Sequence, residues 1–511
     1  MAQVLPFNGF YTGTSKKNSS RTCVNYMPVP YDAGSLSEYT LQSTMGIAEA
    51  SGANQTFSKN PLTMSSNMFD WGGNGGIFGR NICGIYRGGF LAFYDDFFGA
   101  TIKDLGATAF ISNARVSFNK DSLLVVDSTG ASLSAQPIYT YNGLTDTSTK
   151  IDISLQLGAN TRITDTAYIG DRFLLMSNDD DSTNKNKVFY SDINDVTTYD
   201  GSFFSSITQS NPNRGIHVLN GRIYLFSIDG YTVWTSSPSV NLPFIAQKGS
   251  DGSLGLLSAS GKAEVSGRLF LVGRESGALG FYVLSSGVHQ RISTDFIEQD
   301  LDRVNRAYVF SFSDDGRDFV GFDVFKSNGQ SKTYCYDIES GEFHIRKSSG
   351  QTWDVNGSML SNSGSHIVVG EKTTFVSGST YKLQVGFEDK TIGTEFGLQV
   401  ARECVTSPFN SDGVTNNVRE LTFQTDIDYT TFDPSLDHPR LGLEVSGDFG
   451  NTYGQQMFQE FENIGETDRL LRFMSIGFFR QAFVFKITTN IPYPHSLLKM
   501  LVRLQKGFRQ I

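Results

Sequence analysis

The stretch GRIYLFSIDGYTVWTSS, residues 221–237, decides the fold class of this chain. In its first half Ile, Leu and Ser alternate with Tyr and Phe, which is the two-residue period of a β-strand. Asp229 and Gly230 follow, and these residue types tolerate the positive φ angles of a two-residue hairpin turn. The run YTVW then returns on the other side. The stretch therefore predicts an antiparallel β-hairpin.

The same pattern recurs along the chain without matching helical segments. Further hairpins are predicted at residues 171–200, 268–286 and 332–348. A repeated strand–turn–strand unit is typical of β-propellers, so residues 46–415 are predicted to form an all-β, propeller-like domain of short antiparallel strands. At ~40–50 residues per blade this length predicts about seven or eight blades, or six with insertions. A pair of Greek-key sandwiches is the alternative.

Two flanking segments differ from the repeats. Residues 1–45 are predicted to form an extended arm or a closing strand, because Pro28 and Pro30 exclude a helix there. Residues 416–511 have the length and the alternation of a separate C-terminal β-sandwich that contains the Asp-box hairpin described below. The predicted organisation is an N-terminal arm, a propeller-like domain and a C-terminal sandwich.

Composition agrees with an all-β protein and limits its partners. The 511 residues include 52 glycines, 13% aromatic residues and only 18% charged residues, which suits short strands and tight turns. The formal net charge of −10 argues against a chain that coats nucleic acid with its whole surface. The four cysteines are far apart and form no CxxC motif, so we expect reduced, buried thiols. Neither a signal peptide nor a membrane-spanning run is predicted, so we expect folding in a reducing cytoplasm.

Motifs that would carry catalysis or hold a cofactor are incomplete. The DFG at 448–450 lacks the other kinase motifs, and the glycine cluster at 71–79 breaks the spacing of a phosphate-binding loop. The six histidines are scattered singly, with neither HExxH nor GxSxG. The acidic run at 178–184 lacks the glycine and the terminal glutamate of a calcium loop. We therefore predict no enzyme activity, no catalytic residue, no metal site and no cofactor.

One short motif is complete, an Asp box of the form S-x-D-x-G-x-T-aromatic. It consists of Ser446, Asp448, Gly450, Thr452 and Tyr453. We expect the aspartate to accept backbone N–H groups inside the turn, the glycine to be left-handed, and the aromatic ring to pack on the strands. The motif also occurs in sialidases, where it lies away from the catalytic centre. Its predicted role here is to stabilise a hairpin.

The end of the chain is basic. The last 43 residues contain eight lysines and arginines and no acidic residue, which leaves a net charge of −18 on the preceding 468 residues. This asymmetry predicts a surface that meets an acidic partner, with DNA as the other option. Ordinary outward-facing positions are the alternative that needs no partner. The candidate partner-binding residues are Arg469, Arg472, Arg480 and Arg503.

Taken together, these segments resemble the packaged-DNA stabilisation proteins of short-tailed bacteriophages, also called tail accessory factors or tail nozzle proteins. The closing segment 439–494 carries the Asp-box hairpin, the run from Arg472 to Arg480 and the alternating strand FVFKI. Earlier segments occur in the family's order: SSRTCVNYMPVPYD, LQSTMGI, RIYLFSIDGYTVW, AQKGSDGSLG and RISTDFIEQDLDR. Tyr453 in place of the usual Trp, and Met45-Gly46 in place of Pro-Gly, are departures from the family pattern.

The resemblance implies a structural virion protein without catalytic residues. Such proteins form a homo-oligomeric ring, typically a hexamer, in the viral tail below the portal and its adaptor. The ring extends the channel through which double-stranded DNA passes, retains the packaged genome, and anchors tailspikes, tail fibres or a plug or needle. The resemblance also implies assembly in the host cytoplasm and no membrane insertion.

Two other functions stay open at the level of sequence. A glycan-binding or glycan-cleaving propeller, such as a receptor-binding tail protein, would need a concave site lined by several tryptophans, and the chain has only Trp71, Trp234 and Trp353. A cellular propeller that serves as a protein-interaction platform would be expected to show regular blade signatures, and WD-type repeats are absent.

Overall fold

The computed structural model describes most of the chain, with gaps. The described residues are 2–5, 22–30, 39–49, 55–57, 67–70, 82–86, 90–94, 100–104, 114–127, 138–177, 184–205, 211–239, 242–314, 316–348, 352–360, 366–370, 374–377, 380–383, 385–389, 391–410, 415–427, 439–461, 468–480 and 482–506. Their regular structure is β-strand apart from two short helices, α1 (Ser154–Leu157) and α2 (Asp295–Asp300). None of the described helices is long and apolar enough to cross a membrane.

Six short strands precede the repeated sheets. They are β1 (Ala2–Leu5), β2 (Thr22–Val24), β3 (Tyr26–Pro30), β4 (Tyr39–Ser43), β5 (Gly46–Glu49) and β6 (Gln55–Phe57). They do not form a sheet of their own, because β1, β2, β4, β5 and β6 each pair with strands from much later in the chain, and β3 pairs with β4.

Seven antiparallel sheets follow within the described residues, numbered here as blades 1 to 7. Blade 1 contains β7 (Asn67–Asp70), β8 (Ile82–Tyr86), β9 (Phe90–Tyr94) and β10 (Ala100–Asp104). Blade 2 contains β11 (Ala114–Phe118), β12 (Ser122–Asp127), β13 (Ile138–Asn142) and β14 (Thr147–Ile151). Blade 3 contains β15 (Ile163–Ile169), β16 (Arg172–Ser177), β17 (Lys187–Tyr190) and β18 (Phe203–Ser205). Blade 4 contains β19 (Asn213–Leu219), β20 (Arg222–Ser227), β21 (Tyr231–Ser236) and β22 (Phe244–Ala246).

The remaining blades are less regular. Blade 5 contains β23 (Gly255–Leu256), β24 (Lys262–Val265), β25 (Arg268–Glu275), β26 (Ala278–Ser285) and β27 (Val288–Arg291). Blade 6 contains β28 (Val304–Asp314), β29 (Arg317–Lys326), β30 (Ser331–Asp337) and β31 (Phe343–Arg346). Blade 7 is built from β32 (Val355–Leu360), β33 (His366–Gly370), β36 (Val385–Asp389) and β5, followed by β37 (Thr394–Glu395) and β38 (Leu398–Gln399). A separate small sheet joins β34 (Thr374–Ser377) and β35 (Thr380–Leu383) to β6.

The blades are arranged in a closed ring. First strands of neighbouring blades contact one another: β7 with β11, β11 with β15, β15 with β19, β24 with β28, and β28 with β32. Blade 4 meets blade 5 through β20 and β23, and β32 contacts β7, so blade 7 returns to blade 1. The described sheets therefore form a seven-bladed β-propeller, and the predicted all-β, propeller-like fold class is confirmed.

The ring is closed by a strand from near the start of the chain. Strand β5 pairs antiparallel with β36 and supplies the fourth strand of blade 7. Glu395 of β37 then pairs in parallel with Ile47 of β5. The strand that completes the ring therefore begins at residue 46, next to the predicted end of the N-terminal arm.

Middle strands such as β16 and β20 are buried on both faces. In β20, Ile223 and Leu225 belong to the core between blades 3 and 4, whereas Tyr224 and Phe226 belong to the core between blades 4 and 5. A strand buried on both faces reads as a continuous apolar run, which is what RIYLF shows. Each such side chain contributes about 1.5–3 kcal/mol to the free energy of folding when it is fully removed from water.

A tight turn recurs between the first two strands of three consecutive blades. Both central residues have positive φ, as type I′ hairpin turns require. The pairs are Gly170 and Asp171 (57° and 58°), Asn220 and Gly221 (51° and 73°), and Ser266 and Gly267 (50° and 71°). The first strands of four blades also share a register shift near their first residue, as at a β-bulge. These strands are β15, β19, β28 and β32.

Two further sheets pack together beyond the propeller. Their remaining strands are β39 (Arg402–Val405), β40 (Phe409–Asn410), β41 (Asn416–Ile427), β42 (Arg440–Ser446), β43 (Met457–Glu460), β44 (Asp468–Phe479), β45 (Ala482–Thr489) and β46 (His495–Lys506). The first sheet has the order β3-β4-β46-β41-β44, with β1 also beside β46, and the second continues as β2-β39-β45-β42-β43, with β40 also beside β45. One hydrophobic core, including Tyr26, Leu421, Phe473, Phe485 and Val502, lies between them. Both ends of the chain therefore build this region.

Strand β2 joins this region to the propeller. Val24 pairs in parallel with Ile345 of blade 6, and Cys23 pairs antiparallel with Cys404 of β39. Blade 6 and the second C-terminal sheet are thus one continuous sheet. Cys23, Cys335 and Cys404 are buried free thiols, as the sequence predicts, and the side chain of Cys83 lies outside the described residues.

Candidate functional site

The Asp-box hairpin connects β42 to β43 and is held by two side chains. The Ser446 hydroxyl donates to Asp448 Oδ1 at 2.7 Å and accepts the Gly450 N–H at 2.9 Å. Asp448 Oδ1 accepts the Thr452 N–H at 2.8 Å, and its Oδ2 accepts the Thr452 hydroxyl at 2.7 Å. Gly450 is left-handed, with φ of 83°. These bonds satisfy the backbone donors of the turn locally and fix its shape.

The carboxylate of Asp448 is an acceptor and nothing more. Hydrogen bonds from the Ser446 hydroxyl and from Thr452 lower the pKa of Asp448 to about 2. The group is therefore ionised at any physiological pH, and both of its oxygens are engaged inside the turn. A group in this state cannot act as a general acid at neutral pH.

Tyr453, the aromatic residue of the box, lies on the outer face of the second C-terminal sheet. The Lys486 ammonium is 5.7 Å from the centre of its ring. Lys486 is also 3.3 Å from Glu403 and 3.8 Å from Glu444. Burial, together with these carboxylates, raises the pKa of Tyr453 to about 12. The phenol is therefore protonated at neutral pH, and the ring serves as a cover for a charged cluster.

The predicted partner-binding arginines are only partly brought together. Arg503 on β46 and Arg472 on β44 both approach Glu420 of the intervening strand β41, at 3.3 Å and 3.9 Å. The two arginine side chains are 65% and 61% exposed. Arg480 is exposed just beyond the end of β44. Arg469 belongs to β44, but its side chain lies outside the described residues.

An exposed apolar row runs along the same strand. Leu470, Met474 and Phe478 on β44 are 45%, 62% and 71% exposed. β44 is the last strand of its sheet within the described residues, so its outer backbone edge has no strand beside it there. We refer to Leu470, Arg472, Met474, Phe478 and Arg503 as the basic–apolar edge.

The axis of the propeller carries a buried charge cluster. Asp165 of blade 3 and Lys262 of blade 5 form an ion pair of 2.5 Å, with side chains 3% and 6% exposed. Asp165 also accepts the backbone N–H of Ile216 of blade 4 at 3.0 Å. The buried Arg115 guanidinium of blade 2 interacts electrostatically with Asp165 and with Tyr308 of blade 6. Side chains from opposite parts of the ring therefore meet at this level of the axis.

Burial affects the charge of Lys262. Desolvation, with the nearby Arg115 guanidinium, lowers the pKa of Lys262 to about 8, although Asp165 opposes the shift. Gly215 lies beside the pair, where a Cβ atom would approach Leu256 Cδ2 to 2.5 Å, Lys262 Nζ to 3.3 Å and Asp165 Oδ2 to 3.4 Å. A side chain at this position would therefore collide with Leu256 and crowd the pair.

A second buried cluster joins blades 6 and 7. The Arg346 guanidinium is 3.0 Å from Asp314 and lies over the Trp353 ring at 4.0 Å. The Trp353 indole N–H donates to Glu395 at 2.8 Å. Burial, with Asp314 nearby, raises the pKa of Glu388 to about 8, although Arg346 opposes the shift. The side chains of Asp314, Arg346, Trp353 and Glu395 in this cluster are all buried.

Two of the three tryptophans lie within the described residues. Trp234 and Trp353 are buried in the cores between blades, 7% and 1% exposed, so neither lines an open concave surface. Trp71, the glycine cluster at 71–79 and residues 178–183 of the acidic run lie outside the described residues.

Sequence reasoning missed Arg115, Asp165 and Lys262. A signal was present, because the segments YIGDRFLLMS, VLNGRIYLFS and EVSGRLFLVG share a turn followed by Arg and an apolar run. Their alignment would have identified the first strand of each blade and its charged positions. The contact between these positions depends on the closed ring and is not visible in any one segment.

Comparisons with known proteins agree with the fold. A family model described as phage stabilisation, bacteriophage P22 Gp10, beta-propeller, matches residues 98–393, which is more than half of the chain. No curated protein matches. Two crystal structures of an exo-β-1,3-galactanase variant from Phanerochaete chrysosporium with β-1,3-galactotriose align with TM-scores of 0.32 and 0.31. They are 13% and 12% identical to this chain and cover 76% of it and 95% of the enzyme, and likeness at this level supports no functional argument.

Proposed function

This chain belongs to the bacteriophage P22 Gp10 stabilisation family, a family of structural phage tail proteins that stabilise packaged DNA, and from this membership we propose that it is a tail nozzle protein. In this proposal several copies form a ring, a hexamer in the simplest case, below the portal and its adaptor. The ring extends the DNA channel, retains the packaged genome and anchors tailspikes or tail fibres. A plug or needle closes its far end.

The basic–apolar edge is the observation that carries the proposal. Exposed apolar side chains in a row on an unpaired edge strand mark a surface that is covered in the assembled state. Arg and Met are enriched in protein interfaces, and both occur here beside Phe478. The 468 residues that precede Arg469 carry a net charge of −18, so a neighbouring copy has an excess of carboxylates that could pair with these arginines.

A ring requires two different surfaces to meet. In a closed cyclic assembly each copy presents one face to the next copy and the opposite face to the previous one. A chain with +8 in its last 43 residues and −18 in the rest has the charge asymmetry that such a head-to-tail contact uses. The adaptor and the spike or fibre proteins would then bind the upper and lower surfaces of the ring.

The propeller axis is not the DNA path in this proposal. The ion pair of Asp165 and Lys262, with Arg115 beside it, occupies the axis at one level. A duplex whose major groove alone is about 12 Å wide cannot pass side chains bonded at 2.5 Å. The channel would therefore lie between the copies of the ring, where the acidic surface would keep DNA from adhering as it slides.

No observation favours the glycan-binding alternative. A sugar site of the expected kind needs a concave surface lined by several tryptophans, and the two described tryptophans are buried between blades. We propose no catalytic activity for the chain.

Genome retention tests the proposal. Particles produced by the encoding phage with this chain deleted should fill with DNA and then lose it, so that the DNA becomes sensitive to added nuclease. Purified chain, added during assembly, should restore nuclease resistance, while chain carrying Arg472→Glu and Arg503→Glu should not. Nuclease-resistant DNA in particles that lack the chain would refute the retention role.

A further inference from the structure

A groove of about 460 Å³ lies where strand β2 meets the outer strands of blade 6. Thr22 and Val24 line one side of it, and blade 6 lines the other. The volume falls in the range of small-molecule sites, roughly 300–1,000 Å³. None of its lining residues belongs to the basic–apolar edge or to the charge cluster at the propeller axis.

Three lysines and one carboxylate line the groove. The carboxylate of Asp300, at the end of α2, accepts hydrogen bonds from Lys326 at 2.8 Å and from Lys332 at 2.5 Å, and the Tyr334 hydroxyl donates to it as well. Although burial opposes the shift, these bonds lower the pKa of Asp300 to about 2. The carboxylate is thus fully ionised and fixed, and it holds two ammonium groups at the wall of the groove.

The groove keeps an excess of two positive charges. Lys347 lines it too, is exposed, and forms no ion pair within the described part of the chain. An ammonium group has three N–H donors, and Asp300 takes one from each of the two lysines that it holds. Donors of Lys326, Lys332 and Lys347 therefore remain for an anion.

The rest of the lining is suited to an organic group. Val24 and Ile345 supply an apolar floor, and Thr22 and Gln330 supply a hydroxyl and a carboxamide beside it. A bare anion would contact only the lysines and would make no contact with these apolar and polar groups. A polar organic body attached to the anion would contact both parts.

We propose that this groove binds a phosphate monoester, with the phosphate on Lys326, Lys332 and Lys347 and the organic part against Val24 and Ile345. A phosphate monoester carries −1.5 to −2 charges at pH 7 and three strong acceptor oxygens, which matches the excess charge and the spare donors. Lysine binds such groups as a mobile point charge, and charge-assisted bonds are the strong ones. The bound ester contacts blade 6 through its phosphate and β2 through its organic part, and so fastens the strand that joins the propeller to the C-terminal sheets.

Calorimetric titration of the full chain tests this site with defined probes. Glucose 6-phosphate should bind, inorganic phosphate should bind more weakly, and glucose should not bind. Lys347→Gln should weaken the affinity for glucose 6-phosphate at least fivefold. It should leave the melting temperature unchanged, because Lys347 forms no ion pair with Asp300. Lys248→Gln, at another exposed lysine in blade 4, is the matched control and should leave the affinity unchanged.

The source of the phosphate is decided in the same titration. The nucleic-acid source is tested with two probes, a short oligonucleotide that carries a 5′-phosphate and the same oligonucleotide without it. Tighter, Lys347-dependent binding of the phosphorylated oligonucleotide than of glucose 6-phosphate would assign the site to a nucleic-acid end, and the reverse would assign it to a small metabolite. No binding of any phosphorylated probe at millimolar concentration, or binding that Lys347→Gln does not change, would overturn the proposal.

Discussion

Asp165 and Lys262 are bonded at 2.5 Å although they belong to first strands of blades 3 and 5, with the whole of blade 4 between them in sequence. The pair lies beside Gly215, where a side chain would collide with Leu256 and crowd the pair. It ties three blades together at the axis, the part of a propeller where the strands are closest. A buried ion pair thus lies at the centre of the propeller, in addition to the apolar cores between its blades.

Removing one partner of this pair should be costly. Asp165→Ala leaves the Lys262 ammonium buried without its carboxylate, and breaking a buried pair costs about 3–5 kcal/mol in the free energy of unfolding. Urea unfolding measures the loss. Asp165→Ala combined with Lys262→Met should be less destabilised than Asp165→Ala alone, because no buried charge is then left unpaired.

An exposed pair provides the control for that experiment. Arg440 and Glu460 are 2.9 Å apart but half-exposed, so Glu460→Ala should change stability by only about 0–1 kcal/mol. Equal effects of Asp165→Ala and Glu460→Ala would contradict a central role for the axis pair.

The cluster around Glu388 predicts a specific dependence on pH. Burial raises the pKa of Glu388 from its ordinary value of 4.5 to about 8. Between these two values the folded protein holds a proton that the unfolded chain has released, so this residue makes the folded state less stable as the pH rises. Glu388→Gln should match the native protein near pH 4.5 and exceed its stability at pH 8. A difference between the two proteins that does not vary across this window in urea unfolding would show that Glu388 is not buried as described.

The Asp box predicts a local loss of stability. Asp448→Ala removes both acceptors used by Thr452, and it should lower the unfolding midpoint of the C-terminal sheets without changing any activity. Because the pKa of Asp448 is lowered to about 2, its contribution should be present above about pH 4 and lost as the pH falls through 2. Asp251→Ala is the control, since this exposed turn aspartate accepts no hydrogen bond within the described residues. Identical melting curves for both variants would show that the motif does not stabilise the hairpin.

The basic–apolar edge predicts a loss of assembly. Arg472→Glu with Arg503→Glu should leave a folded monomer that no longer forms the ring, because both arginines are exposed and the partner surface is proposed to be acidic. Light scattering after size-exclusion chromatography gives the mass, and circular dichroism checks the fold. Arg222→Glu, on the exposed start of β20, should assemble normally. A ring that forms with the double variant would remove this surface from the proposed interface.

The sequence was sufficient to predict local hairpins and insufficient to predict how the propeller ring is closed. The alternation in RIYLF identifies a hairpin, because it depends on neighbours in sequence. The predicted two-residue Asp229-Gly230 turn was wrong: Phe226 pairs with Tyr231, the Ser227 N–H donates to the Gly230 carbonyl, and neither Asp229 nor Gly230 has a positive φ. The pairing of β5 with β36 joins residues more than 300 positions apart, so no local pattern indicates it. The candidate site shows the same limit: arginines near the end of the chain could be counted, but their common partner Glu420 lies on an intervening strand that only the sheet order reveals.

The location of the chain on the phage particle tests the central proposal most directly. Gold-labelled antibody against the purified chain, viewed on intact particles by negative-stain electron microscopy, gives that location. The nozzle proposal predicts label confined to the narrow stalk directly below the head. Label at the distal tips of spikes or fibres, or particles without label, would contradict it.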